Sequence, residues 1–209
     1  MTHDHDAWLA LDHDASLAHD HDHDQSPATG PVADASARIA RPNDAAAVGL
    51  VQAVVWRAAY AEVLAQEVVD KFDPASFARV WRDSLNAPPS DRHVLLVGCA
   101  GEQVVGFAAV GPSIDPDASE TSGEVLGLGV HPDARHGGHG SRLLNAAVDT
   151  LRGKGFNSMS VWLLAHDEGT RAFLTAAGLS PDGAYRNRVI DVDGTLAREV
   201  RLTADLSQG

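Results

Sequence analysis

The segment EVLGLGVHPDARHGGHGSRLLNAAVDTLR, residues 124–152, limits more than any other what this chain can fold into. A β-rich apolar run leads through the loop RHGGHG into a stretch with Leu143, Leu144, Ala147, Val148 and Leu151 at helical spacing. Strand and amphipathic helix must then share a core, which implies a mixed α/β fold. Without Cβ atoms, the loop glycines let backbone N–H groups converge on one point. The first helical turn adds unsatisfied donors and the positive end of the dipole. The physical expectation is a cradle for pyrophosphate. It is not G-x-G-x-x-G, because Leu143 stands where the third glycine belongs, and no Gly-Lys-Ser/Thr follows. His136 and His139 lack a cysteine or third histidine at ligand spacing, so no metal is expected in this loop.

Elements of the same kind surround this segment. ARIARP reads as a short strand ended by Pro42, with Asn43-Asp44 capping a helix over 45–64. A second helix starts near Pro74, presents Phe77, Val80, Trp81 and Leu85 on one face, and ends at Pro88-Pro89. Residues 93–100 and 103–110 read as a hairpin joined by Ala-Gly-Glu. After the cradle, a helix stops at Gly153 and FNSMSVWLL forms a strand. Asp167 then caps a short helix closed by Gly178. Residues 184–192 and 195–202 flank Asp193-Gly194, a two-residue hairpin turn. The expected order is β-α-α-β-β-β-α-β-α-β-β.

Charge divides the chain in two. Residues 1–37 hold eight Asp and no Lys, Arg or Glu, so this segment carries -8 of the net -13 and leaves -5 for residues 38–209. Six of the eleven histidines also precede Gln25, mostly as His-Asp pairs. Such a segment is expected to be a disordered tail. Its imidazoles and carboxylates suit transition metals, but an unordered arm must be ordered before it makes a defined site. A mildly acidic domain over 38–209 carries no basic footprint for nucleic acid. No apolar run is long enough to span a membrane. The single Cys99 lies in an apolar run, which points to a reducing, cytoplasmic setting.

VHPDARHGGHGSRLL resembles the acetyl-coenzyme-A motif of the GNAT superfamily of N-acetyltransferases, Q/R-x-x-G-x-G/A, with Arg135, Gly138 and Gly140 at its fixed positions. AFLTAAGLSPDG resembles the later helix-Gly-apolar segment of that family, and WRAAYAEVL its first helix. The resemblance covers everything except the tail. It implies a GNAT-like fold, acetyl-CoA as cosubstrate and a primary amine of a small molecule or protein as acceptor. It also raises the prospect of a homodimer. The backbone of Leu128, Gly129 and Val130 would pair with the pantetheine arm. Arg135, His136, Gly137, Gly138, His139, Gly140 and Ser141 would wrap the pyrophosphate, with Asp167 opening the later helix where relatives have Asn. Gly127 and Gly129 inside a strand suggest either close approach of a ligand or a bulge.

A base must deprotonate the amine. Glu124 alternates with Leu126, Leu128 and Val130, so it is expected on their face; it is either a buried base or a solvated glutamate at the strand's first residue. Glu120 is the alternative. Where relatives carry a proton-donating Tyr, this chain has Leu174; its two tyrosines, Tyr60 and Tyr185, lie elsewhere. Two other functions therefore stay open: a non-catalytic acyl-CoA-binding module, and a metal-binding protein acting through the tail. Asp115, Asp117 and Glu120 in one loop hint at a cationic acceptor.

Overall fold

The computed structural model describes residues 35–190, 194 and 196–207. The His/Asp-rich stretch and Asp193 lie outside them. Seven strands form one sheet in the order β1-β2-β3-β4-β5-β7-β6. They are β1 (Ala35–Ile39), β2 (Val94–Ala100), β3 (Gln103–Pro112), β4 (Ser122–Val130), β5 (Ser158–Leu164), β6 (Ser180–Val189) and β7 (Leu196–Asp205). The helices are α1 (Ala45–Tyr60), α2 (Gln66–Val69), α3 (Pro74–Asn86), α4 (His139–Gly153) and α5 (Glu168–Ala176). All neighbouring strands are antiparallel except β4 and β5. A parallel pair needs a crossover, and α4 supplies it.

The sheet separates two cores. On one face Leu143, Leu144, Ala147 and Leu151 of α4 and Leu174 of α5 pack on Leu96, Leu128, Val130, Val161 and Leu163. On the other, Val48, Val51 and Val55 of α1 and Trp81 of α3 pack on Leu95, Val97, Phe107 and Leu126. Burying a side chain of this size stabilises by roughly 1.5–3 kcal/mol. The indole N–H of Trp81 donates to buried Gln52 at 2.6 Å, so these two polar groups pair between α1 and α3.

The observed elements depart from the sequence-based expectations in four places. β1 opens at Ala35, three residues before the boundary drawn from composition. Asp44 does not cap α1 with its side chain; it accepts from Arg38 at 2.7 and 2.9 Å and from the Arg41 N–H, tying β1 to the helix start. The helix drawn over 45–64 ends at Tyr60, and the chain turns so that Leu64 and Val69 pack with Leu164 and Ala197. Finally, α4 runs through Gly153, and the stop is Gly155 at φ 82. There the N–H groups of Phe156 and Gly155 close on the carbonyls of Leu151 and Arg152, and Phe156 packs in the same core as Leu151. Gly178 ends α5 in the same way, as expected, with Leu179 bonded back to Leu174.

Candidate active site at the parting of two strands

The site begins where the parallel pair stops being a pair. β4 and β5 are in register only from Ser122↔Ser158 to Val125↔Val161. Beyond that, β4 continues to Val130 against β3, while β5 continues to Leu164 against β7. The β4 edge beside Leu128, Gly129 and Val130 therefore faces a gap in the sheet. Backbone donors and acceptors along such an edge can bond an extended ligand. The register between β3 and β4 also slips by one, from Ala109↔Gly127 to Val110↔Val125. A bulge of this kind increases twist and re-aims side chains.

That bulge overturns one sequence expectation. Leu128 and Val130 point to the α4 core, whereas Leu126 points to the α1 core. Val125 lies in the α4 core, and a Cβ on Gly123 would meet Leu151 and Phe156 of that core. Glu124, between them, projects to the opposite side. It shares the face of Leu126, not that of Leu128 and Val130, because the extra residue reverses the alternation. Gly129 is likewise accounted for by packing: a Cβ there would stand 2.9 Å from the Phe107 ring.

On the α4 side, Leu128, Val130, Arg135, His136, Gly138, His139, Gly140 and Ser141 line one cavity of about 420 Å³. Gly138 is the N-cap of α4 at φ 78, a left-handed geometry that glycine adopts freely. His136 holds φ 60 without being glycine, a strained conformation that costs about 1–2 kcal/mol. His139 is 6% exposed, and its Nδ1 is buried with no hydrogen-bond partner among the described residues. Gly137 does not line the cavity; its backbone lies against the His139 ring. Asp167 does not line it either. Its Oδ1 accepts from the Thr170 N–H at 2.9 Å, which fixes the start of α5. Through that cap, Gly169, Thr170 and Phe173 of α5 join the wall, together with Ala134. The sequence marked the cap but not the convergence of two helix N-termini on one cavity. Leu174 is fully buried in the α4 core.

On the α1 side, Glu124 is 1% exposed, and the Ser113 hydroxyl donates to its Oε2 at 3.0 Å. Burial, then the nearby charge of Asp115, push its pKa up to about 7, against the opposing Ser113 hydrogen bond and Arg186. Around it Glu199 pairs with Arg186 and Arg188, and Arg201 pairs with Asp115, Asp117 and Asp182. Trp162 packs under the Arg186 guanidinium at 4.2 Å. No ion pair of the described residues engages Glu124. Glu120, the alternative base, is exposed, and so is Tyr185. Tyr60 is buried, and burial raises its pKa. Two of the three acids of the acidic loop are engaged within the protein: Arg201 binds both Asp115 and Asp117. Ser113, Trp162, Arg186, Glu199 and Arg201 carried no sequence signal, because they come from separate strands and loops.

Among the described residues, no group of three or more His, Cys, Asp or Glu stands where it could hold a metal ion, and no helix is long and apolar enough to cross a membrane.

No curated protein matches the chain by sequence. Solved structures share its fold. One is yncA of Salmonella typhimurium with its cofactor acetyl-CoA (18% identity, TM-score 0.60, covering 84% of this chain and 95% of that one). A second is the ribosomal-protein-S18-alanine N-acetyltransferase of Escherichia coli (14%, TM-score 0.58, 84% and 96%). A third is the paia N-acetyltransferase of Thermoplasma acidophilum in complex with coenzyme A (16%, TM-score 0.58, 82% and 98%). The model of the Acetyltransferase (GNAT) family matches residues 55–179, a span that contains the strand parting, the glycine cradle and Glu124. With more than half of its length matched, this chain belongs to the GNAT acetyltransferase family.

Proposed function

We propose that the protein transfers an acetyl group from acetyl-CoA to a primary amine of a small molecule or protein, with Glu124 as the base. The observation that carries this reading is a deeply buried carboxylate, without a cationic partner among the described residues, one residue before β4 and β5 part. A site with this arrangement suits an ammonium group that must lose a proton before attack.

The residues present fit the cosubstrate. The open edge at Leu128, Gly129 and Val130 suits an amide-bearing arm. Arg135, His136, Gly138, His139, Gly140 and Ser141 suit a diphosphate, because they combine backbone donors, a positive-φ glycine and a buried imidazole whose Nδ1 has no partner among the described residues. Asp167 serves at one remove, by holding the α5 N-terminus beside the cavity. When bound, acetyl-CoA supplies the activated thioester. The chain supplies the rest: the cradle orients the donor, the bulge turns Glu124 to the acceptor face, and burial keeps that carboxylate basic. Ionised Glu124 takes the proton of the acceptor ammonium and leaves a neutral amine. Leu174, apolar and fully buried, can offer no proton to a departing thiolate.

The test is release of CoA thiol over a panel of primary amines. Turnover should fall about tenfold per pH unit below about 7, because the base must be ionised. Tight binding of acetyl-CoA with no turnover on any amine, and no effect of Glu124→Gln, would instead support a non-catalytic binding module. That second reading is favoured by one observation, the apolar Leu174 where relatives carry a proton donor.

A further inference from the structure

The acceptor side contains a connected chain of hydrogen bonds that ends on Glu124. Trp162 of β5 and Arg201 of β7 are partners across the sheet. The Trp162 indole N–H donates to both Asp115 oxygens, at 3.2 and 3.0 Å. The Arg201 guanidinium donates to Asp115 at 2.9 Å, and also to Asp117 and Asp182, so the loop after β3 is clamped to the far strands. The Asp115 N–H donates to Ser113 Oγ at 3.3 Å, and the Ser113 N–H to the Ser122 carbonyl at 2.9 Å. Ser113 thereby sits at the first residue of β4, and its hydroxyl donates to Glu124 Oε2 at 3.0 Å.

We infer that Ser113 and Asp115 are positioning residues for Glu124, anchored by Trp162 and Arg201: they hold Oε2 in a fixed hydrogen bond and leave Oε1 as the atom that accepts the proton. This rests on the acetyltransferase reading for its purpose, though not for its test. A free carboxylate side chain rotates between several wells, and a hydrogen bond to one oxygen selects among them. The two residues act on Glu124 with opposite sign. A donated hydrogen bond favours the ionised carboxylate, whereas a neighbouring negative charge disfavours it. The other charged groups near Glu124 are Arg186 of β6, which favours ionisation, and Glu199 of β7, which opposes it. From α1, Tyr60 lies within the influence of Arg186, Arg188 and Glu199.

The test is a pH titration of the Glu124 side-chain carboxyl carbon by NMR, which needs neither acceptor nor cosubstrate. The midpoint should lie near 7 in the wild-type protein. Ser113→Ala should move it up by about one unit, and Asp115→Asn down by about one unit, for interactions of roughly 1–2 kcal/mol. Ser113→Thr, which keeps the hydroxyl, should stay at the wild-type value. The amide oxygen introduced by Asp115→Asn can still accept from Trp162 and Arg201, so the clamp survives that change. A loss of packing would not move the two variants in opposite directions. Midpoints that do not move, that move the same way, or a threonine variant shifted like alanine would overturn the inference. Calorimetry of acetyl-CoA with the wild-type protein is the separate check. Failure to bind sinks the acetyltransferase reading and leaves the titration to be judged alone.

Discussion

The two faces of the sheet at the β4–β5 parting are built in different ways. The α4 side draws most of its cavity wall from one continuous stretch, 134–141, and its chemistry is that of backbone N–H groups, a positive-φ glycine and helix N-termini. The α1 side is assembled from side chains of β4, β5, β6, β7 and the loop after β3, joined by charged hydrogen bonds. A backbone-built site recognises a constant feature, such as a diphosphate, by shape and dipole. A site built from side chains can be changed one residue at a time. That is the division expected of an enzyme that keeps its donor and varies its acceptor.

Glu124→Gln is the largest break in this comparison. It should lower kcat/KM by about a hundredfold to ten-thousandfold while leaving acetyl-CoA affinity unchanged, as measured by thiol release and calorimetry. Equal losses on both counts would mean that the two faces are not separable. The same variant has a stability consequence. Because the folded-state pKa of Glu124 is raised from 4.5 to about 7, its contribution to stability is present below the unfolded value and is lost as pH rises through about 7. Glu124→Gln should therefore match the wild-type protein at pH ~4 and be more stable by about 3 kcal/mol at pH ~8. Thermal melts at the two pH values check it.

Gly138→Val attacks the other face. A β-branched residue at φ 78 is strained by about 1–2 kcal/mol or more, and its Cβ would stand 2.5 Å from the Arg142 guanidinium. Acetyl-CoA affinity should fall about tenfold or more, with the titration of Glu124 unmoved. The smallest expected effect is the most diagnostic. His139→Leu removes a buried nitrogen that has no partner among the described residues, so the free protein should melt higher, by about 1 kcal/mol of added stability. Acetyl-CoA binding should weaken several-fold in the same variant, a trade that simple core packing would not produce. A lower melting temperature would assign His139 to structure.

The contrast between the faces also explains what could be read from the sequence. Gly155 and Gly178 show how local the helix stops are: each closes its helix through bonds spanning three and five residues. Only the choice between Gly153 and Gly155 needed the packing of Phe156 on Leu151. The cradle was legible because Arg135, Gly138 and Gly140 are neighbours in the chain as well as in space. Glu124 was legible as a candidate, but its face was not. Strict alternation puts it with Leu128, and a single extra residue at Leu126 reverses that. Asp115 was visible as part of an acidic loop, but its neutralisation by Arg201, 86 residues away, was not.

The sequence by itself determined the α/β class and the strand–glycine–helix connection, since these depend on periodicity and on glycines a few residues apart. Only the tertiary structure decided that Glu124 is buried, which way it points and what surrounds it. Those properties arise from a bulge set by pairing with β3 and from charges brought together across five segments. No local pattern encodes a contact whose partners are fixed by the register of a sheet.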